Sequence, residues 1–439
     1  MNSLESDILN QIKYSNLIYY GPVYTATGYG SASRYYLIGL IKAGVRVKVI
    51  PFGLSEKNNI SKDEVRILEK AEKTKLNPKL KNIVILHTTP SGWKNITVNG
   101  ADYIIGMTIF EPDGLPSQWV KICNEPWINE IWLPSRFNIK TFSKSGVYKN
   151  KLSLIHYCID TVNYKPTNTR NKNKKFRFTY IADFGQRKNL PLLLNAFCEE
   201  FKPNDAVELF IQTTSNSKGL IENFINSNSG LLKNRGNIII NTTKMSGSEI
   251  INLIGTSNVY VSVDKANGWG MPCMEAMALE TLTATVNWSG STEFMFKSNS
   301  LLIEPSGIET VDSESALNQP YYIGQKWATV SIKAVRNVLR KAYAEWDELE
   351  DIRKTGRKDV VSMLDTKVVV KEMIDKLNNI NVKKHNSKPF VLYRDHIKMV
   401  INQIRILTNV QLSYFKTYKY LRLTRKILSK WLHLKPIFY

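Results

Sequence analysis

Stretches rich in β-branched residues alternate along this chain with stretches whose apolar positions recur every three or four residues, a pattern that predicts strands and helices in turn. Asn16–Tyr20 reads as a strand, Gly21–Gly30 as a loop, about Ser31–Ala43 as a helix stopped at Gly44, and Val45–Ile50 as the next strand, which makes one βαβ unit. Further strands are predicted at Asn82–Leu86, Asp102–Gly106, Glu130–Leu133 and Leu152–Ile155. The alternation restarts at Phe176–Ile181. It continues through a helical run from Leu190 to Phe201, strands at Val207–Gln212, Ile238–Asn241 and Val259–Val263, and a helix that opens on the capping signature Ser246-Gly247-Ser248-Glu249. Alternation of this kind argues for parallel sheets covered on both faces.

The stretch between the halves, residues 161–175, carries five Lys or Arg, Pro166 and no acid, the composition of an exposed linker. The chain therefore divides into an N-terminal Rossmann-like domain (1–160), the linker (161–175), a C-terminal Rossmann-like domain (176–326), helices crossing back to the first domain (327–380) and a tail (381–439). Two such halves imply a cleft between them, the usual place for a ligand.

A chain of 439 residues, 43% of them hydrophobic, is long and apolar enough for two cores. Its four cysteines are scattered, with no C-x-x-C pair, so neither a zinc site nor a disulfide framework is expected. Met1–Lys13 lacks the apolar core of a signal peptide and no stretch is long enough to span a bilayer, so a cytoplasmic location is expected. Net charge is +22, and residues 381–439 supply +12 of it from thirteen Lys and Arg against Asp395. Basic residues there interleave with aromatic and apolar ones, from Tyr414 to Trp431. Two readings stand: an interfacial helix on an anionic membrane surface, or a helical hairpin packed on the body with a solvated basic face. No nucleic-acid module accompanies the charge, so nucleic acid is not an expected partner.

The segment Asn267-Gly268-Trp269-Gly270-Met271-Pro272-Cys273-Met274-Glu275 joins a predicted strand to a helix through a glycine turn. Glycines let backbone N–H groups approach an anion, the helix N-terminus adds partial positive charge, and a glutamate one turn in can accept hydrogen bonds from sugar hydroxyls. The segment resembles the E-x7-E donor motif of family 4 of the retaining glycosyltransferases, with Asn267 at the first glutamate. Thr27-Gly28-Tyr29-Gly30 resembles that family's N-terminal glycine loop. Phe110-Glu111 with Leu115-Pro116, Ile131–Phe137 and Phe184-Gly185-Gln186-Arg187-Lys188-Asn189 also resemble its segments in the right order, over roughly residues 15–380. Glu280 and Leu282 stand where the family has glycine and proline. A left-handed Glu280 would cost about 1 kcal/mol, so a reshaped turn is expected there.

The resemblance implies an α/β fold of the GT-B type, two Rossmann-like domains with a cleft between them, plus the basic helical C-terminal extension. It implies transfer of a hexose, such as mannose or glucose, from a UDP- or GDP-sugar to a glycan, lipid or protein hydroxyl, with retention and without a metal or other cofactor. No convincing Asp-x-Asp metal clamp is present. Glu275 would hold the ribose, Asn267 would meet the donor sugar, and Lys188 with Arg187 would take the diphosphate together with the Gly268, Trp269, Gly270 and Met271 amides. Gly28 and Gly30 would face the ligand, and Lys244 and Met245 would lie along the base. His87 would stand near the reacting centre and Glu111 would orient the acceptor. Each has a plainer reading: a strand-end histidine, a buried structural carboxylate, a solvated basic loop, a tight turn with a carboxylate cap. At the level of the whole chain the alternatives are a catalytically inactive sugar-nucleotide-binding or membrane-associated scaffold, and a sugar-nucleotide epimerase on the same fold.

Overall fold

The computed structural model describes residues 15–167, 175–228, 230–231, 237–316, 319–381 and 390–394. Nearly all belong to one compact unit, Met1–Leu392. The basic tail proposed to contact a membrane lies, but for residues 381 and 390–394, outside the described residues, as do residues 168–174 of the expected linker.

The first half contains strand β1 (Ser15–Gly21), helix α1 (Gly28–Lys42), strand β2 (Val47–Pro51), helix α2 (Lys62–Glu72) and strands β3 (Lys81–His87), β4 (Tyr103–Met107), β5 (Glu130–Leu133) and β6 (Leu152–Leu154). They form a parallel six-stranded sheet in the order β2-β1-β3-β4-β5-β6. The second half repeats the theme with β7 (Phe176–Ile181), α3 (Leu190–Glu200), β8 (Val207–Gln212), β9 (Ile238–Asn241), α4 (Gly247–Thr256), β10 (Val259–Ser262), α5 (Met271–Ala278), β11 (Leu282–Val286) and β12 (Leu301–Ile303). Its sheet, also parallel, has the order β9-β8-β7-β10-β11-β12. The strands read as continuous apolar runs because both faces are covered, and one apolar cluster extends from Tyr19 and Ile85 of the first sheet to Trp269 and Met277 of the second half.

After β12 an antiparallel hairpin, β13 (Gly307–Thr310) and β14 (Lys326–Thr329), precedes helices α6 (Ile332–Ala344), α7 (Glu350–Leu364) and α8 (Thr366–Asn378). Trp327 therefore sits in a strand, not in a returning helix, and α6 packs on α3 within the second half. The element that braces the first half is α8, which lies on α1 over Gly39, where a Cβ would come within 2.3 Å of Thr366 Cγ2.

Three local expectations are corrected. α1 begins at Gly28, not Ser31, because Thr27 caps it by accepting from Gly30 N–H at 3.2 Å. The first part of the 161–175 stretch is held: Tyr164 is buried and its carbonyl accepts from Arg357 Nη1 at 2.8 Å. Glu280 does adopt the left-handed conformation, φ 60°, because only that geometry returns Thr281 N–H to Ala276 O and Glu280 N–H to Met277 O, both at 2.9 Å.

Candidate functional site

In a parallel sheet the crevice opens where neighbouring strands send their connections to opposite sides. In the second sheet those neighbours are β7 and β10, so the loop carrying Arg187 and Lys188 meets the loop leading to Asn267. Lys265 N–H donates to Arg187 O at 2.8 Å, and the Arg187 guanidinium donates to Ala266 O at 2.7 Å. In the first sheet the corresponding neighbours are β1 and β3, and α1 starts beside them. Both crevices open on one cavity of about 2120 Å³.

Arg187 and Lys188 are balanced by Asp264, a buried acid the sequence reading did not single out. Its Oδ2 accepts from Lys188 Nζ at 2.7 Å and lies 3.7 Å from Arg187 Nη1, while Oδ1 accepts from the Tyr180 hydroxyl at 2.5 Å. Burial opposes the Arg187 charge, but Tyr322, Glu111, Asp264 and Asp183 around it more than restore it, and its pKa rises. The two cations are thus held in place by a group of acids, with Asp264 in direct contact with Lys188.

Opposite them is the glycine turn. Gly270 has φ 90° and no side chain to cap α5, so the first-turn amides are open toward the cavity, and Pro272 occupies an early position where its missing N–H costs nothing. Gly268 permits contact between the halves: a Cβ would lie 2.3 Å from Ile109 Cγ1. Trp269 is buried against Tyr157 and His156, with ring centroids 5.9 Å apart in each case. Asn267 sits in a cradle made by Ser289–Ser291. Ser289 Oγ accepts from Asn267 N–H at 2.9 Å and donates to its carbonyl at 2.7 Å, and Ser291 N–H donates to Asn267 Oδ1 at 3.1 Å. Ser289 is held at φ 65° to do this.

Glu275 also lines the cavity. Burial raises its pKa to about 7, outweighing the Tyr164 and Tyr35 hydroxyls and the charge of Arg34, which lower it. The Tyr164 hydroxyl donates to Glu275 Oε1 at 3.4 Å and stands 2.9 Å from that of Tyr35. Arg34 donates to Val23 O and Thr25 O at 3.0 Å each and so shapes the loop before α1.

The remaining sites separate. Gly28, exposed at the start of α1, and Met245 line the cavity; Gly30 is buried instead, with Thr25 O 2.2 Å from where a Cβ would stand. Glu111 lines the cavity and lies beside Tyr322, which the β13–β14 segment brings across and whose hydroxyl burial and then Glu111 hold in the protonated form. Lys244 is not part of the wall: it pairs with Glu56 of the first half at 2.5 Å, and Glu56 also accepts from Ala26 N–H at 2.6 Å. His87 is wholly buried and outside the wall. Its Nδ1 is 2.6 Å from the Tyr19 hydroxyl and 2.9 Å from Ser33 Oγ, its Nε2 is 3.4 Å from the Tyr157 hydroxyl, and burial lowers its pKa to about 3. The neutral imidazole lies next to Tyr157, which does line the cavity. Beyond these, Arg34, Tyr35, Tyr164, Asp264 and Tyr322 join the wall or its support; only Arg34, four residues after Gly30 on one helix, carried a local signal.

No protein-family model and no curated protein matches the sequence. Solved structures do. A glycosyltransferase from Rickettsia africae superimposes with a TM-score of 0.61 at 13% identity, over 84% of this chain and 100% of the other. HepE from Anabaena, in complex with UDP and glucose, gives 0.59 at 9% identity over 84% and 100%. Sucrose-phosphate synthase from Thermosynechococcus elongatus gives 0.59 at 13% identity over 83% and 98%. At these identities the likeness establishes the architecture: the chain has the two-lobed GT-B fold of these glycosyltransferases.

Proposed function

We propose that this protein is a glycosyltransferase that moves a sugar from a nucleotide-sugar donor to a glycan, lipid or protein hydroxyl, with retention of configuration. The observation that carries the reading is the convergence on one cavity of the Arg187–Lys188 loop, the open first turn of α5 and Glu275. Such a set matches the three parts of a donor: two cations and amide N–H groups for a diphosphate, a carboxylate for a ribose diol, and Asn267 between them and the sugar. HepE, with which this chain shares its fold, holds UDP and glucose, which supports UDP as the carrier.

The chemistry follows from the leaving group. As the glycosidic bond lengthens, charge collects on the diphosphate, where Arg187, Lys188 and the α5 amides stabilise it. A departing phosphate oxygen on the acceptor's side takes the acceptor proton, so the reaction draws on no side-chain base. Glu111, beside Tyr322, orients the acceptor.

Release of nucleoside diphosphate from UDP- and GDP-sugars, with and without acceptor, tests the reading. Turnover that disappears in Lys188→Ala and Glu275→Ala supports an enzyme; tight donor binding with no turnover of any donor identifies a sugar-nucleotide-binding scaffold instead.

A further inference from the structure

Resting on the nucleotide-sugar reading, we propose that Asn267 makes this site selective for a donor sugar bearing an acceptor-only oxygen, a carboxylate or an acyl carbonyl, next to the diphosphate. Asn267 follows Ala266, whose carbonyl takes the Arg187 guanidinium at 2.7 Å, so its side chain stands one residue from the phosphate grip, where the sugar begins. It is 5% exposed and lines the cavity. Its orientation is not free. Ser291 N–H must have an acceptor, and Oδ1 is that acceptor at 3.1 Å, which assigns the amide unambiguously. The same Oδ1 faces the Gly270 turn, 3.5 Å from where a Cβ would stand, and the backbone of Asn267 is pinned on both sides by Ser289 Oγ. Among the described residues Nδ2 has no hydrogen-bond partner, nor is it one of the occluded polar atoms, so it is the part of the side chain left open to the ligand.

With Oδ1 turned to Ser291 N–H and the Gly270 turn, this side chain presents a sugar with its N–H donors. A hydroxyl can accept from Nδ2 but finds no acceptor for its own hydrogen on the end of Asn267 that faces it. A carboxylate or an amide carbonyl has only lone pairs to satisfy and meets them fully, within reach of the Arg187 and Lys188 charges. A carboxylic residue in the same cradle would reverse the preference, because its second oxygen would accept from a hydroxyl and repel a carboxylate.

The test is titration calorimetry on the full chain. UDP and GDP alone come first, then, on the nucleotide that binds, donors carrying glucose, glucuronate and N-acetylglucosamine. The wild type is expected to bind the glucuronate or the N-acetylglucosamine donor at least about tenfold tighter than the glucose donor, the difference between charge-assisted or fully paired and half-paired hydrogen bonds. The two arms tell carboxylate from acyl group. Asn267→Asp keeps the Ser291 bond and exchanges N–H donors for lone pairs; it should lose that preference, weakening the glucuronate donor relative to the glucose donor at least about tenfold, with both read against the variant's own affinity for the free nucleotide. Asn267→Ala, whose folding is followed by its melting temperature, should bind all three donors alike. Equal binding of the three donors by the wild type, or an unaltered ranking in Asn267→Asp, overturns the proposal while the nucleotide-sugar reading stands. Failure of UDP and GDP alike to bind overturns both.

Discussion

Glu275 gives a test in which stability and ligand affinity move in opposite directions. Its carboxyl is raised from 4.5 to about 7, first by burial. Between those values the unfolded chain has released the proton and the folded chain still holds it, so the folded state binds more protons and stability falls as pH rises. The contribution is fully present below 4.5 and is lost as pH passes 7. A shift of that size corresponds to about 3 kcal/mol across the window. Glu275→Gln keeps the shape and hydrogen-bonding reach toward Tyr164 but does not titrate. Urea midpoints of the two proteins should therefore diverge from pH 4.5 to pH 8, the variant gaining up to about 3 kcal/mol relative to the wild type. Nucleotide binding should do the reverse. A ribose diol donates to the ionised carboxylate, so wild-type affinity rises through pH 7, while the variant binds more weakly and lacks that increment; titration of the diphosphate itself is common to both and cancels. Parallel stability curves, or a variant that loses stability and affinity together at every pH, would refute the reasoning.

Lys188→Ala removes a charge-assisted contact to the diphosphate and should weaken nucleotide binding by about 1.5–3 kcal/mol, tenfold or more by calorimetry. Lys244→Ala should change nucleotide affinity less than about threefold, since Lys244 is spent on Glu56; its exposed ion pair is worth at most about 1 kcal/mol in thermal denaturation. Gly268→Ala drives a methyl into Ile109 and should cost about 1–3 kcal/mol of stability in urea denaturation. Glu280→Gly relieves the left-handed φ of 60° and should raise stability by roughly 0.5–1 kcal/mol, read as a higher melting temperature.

What the sequence disclosed was local. Strands β5, β7, β8 and β9 fall on their predicted residues because a β-branched run bounded by turns is a short-range signal. The Ser246–Glu249 capping box is present, with Ser246 Oγ accepting from Glu249 N–H at 3.3 Å, because its four residues suffice to make it. The hairpin escaped notice: Gly307–Thr310 is mostly exposed, and its place is set by distant partners such as Asp113, whose N–H donates to Lys326 O at 3.0 Å and whose Oδ1 accepts from Lys326 N–H at 3.1 Å, a pairing no local pattern encodes. The same distinction runs through the site. The glycine turn and the basic loop announce themselves, whereas Asp264 between Lys188 and Arg187, Tyr164 on Glu275, and Tyr322 on Glu111 depend on which loops the sheet order brings together. His87 shows the converse. Its position at a strand end was legible, but the tyrosines that enclose it come from residues 19, 29, 36 and 157, and they decide that it faces inward.

The contacts joining the halves differ in strength around the cavity, and that ordering bears on how a donor enters. On one side Glu293, nearly inaccessible, accepts from Arg136 N–H at 2.7 Å, from the Arg136 guanidinium and from His156 Nε2 at 3.0 Å. Beside it Trp269 stacks on Phe294 and against Tyr157, and α8 lies across α1 over Gly39. Separating these groups would strip buried charge and apolar surface of their partners, at several kcal/mol. Near Ala26 and Met245, by contrast, the Lys244–Glu56 pair bridges the halves with Lys244 half exposed to water, and such a pair contributes about 0–1 kcal/mol. The low-cost opening is therefore at that rim, beside the first turn of α4 and the loop before α1.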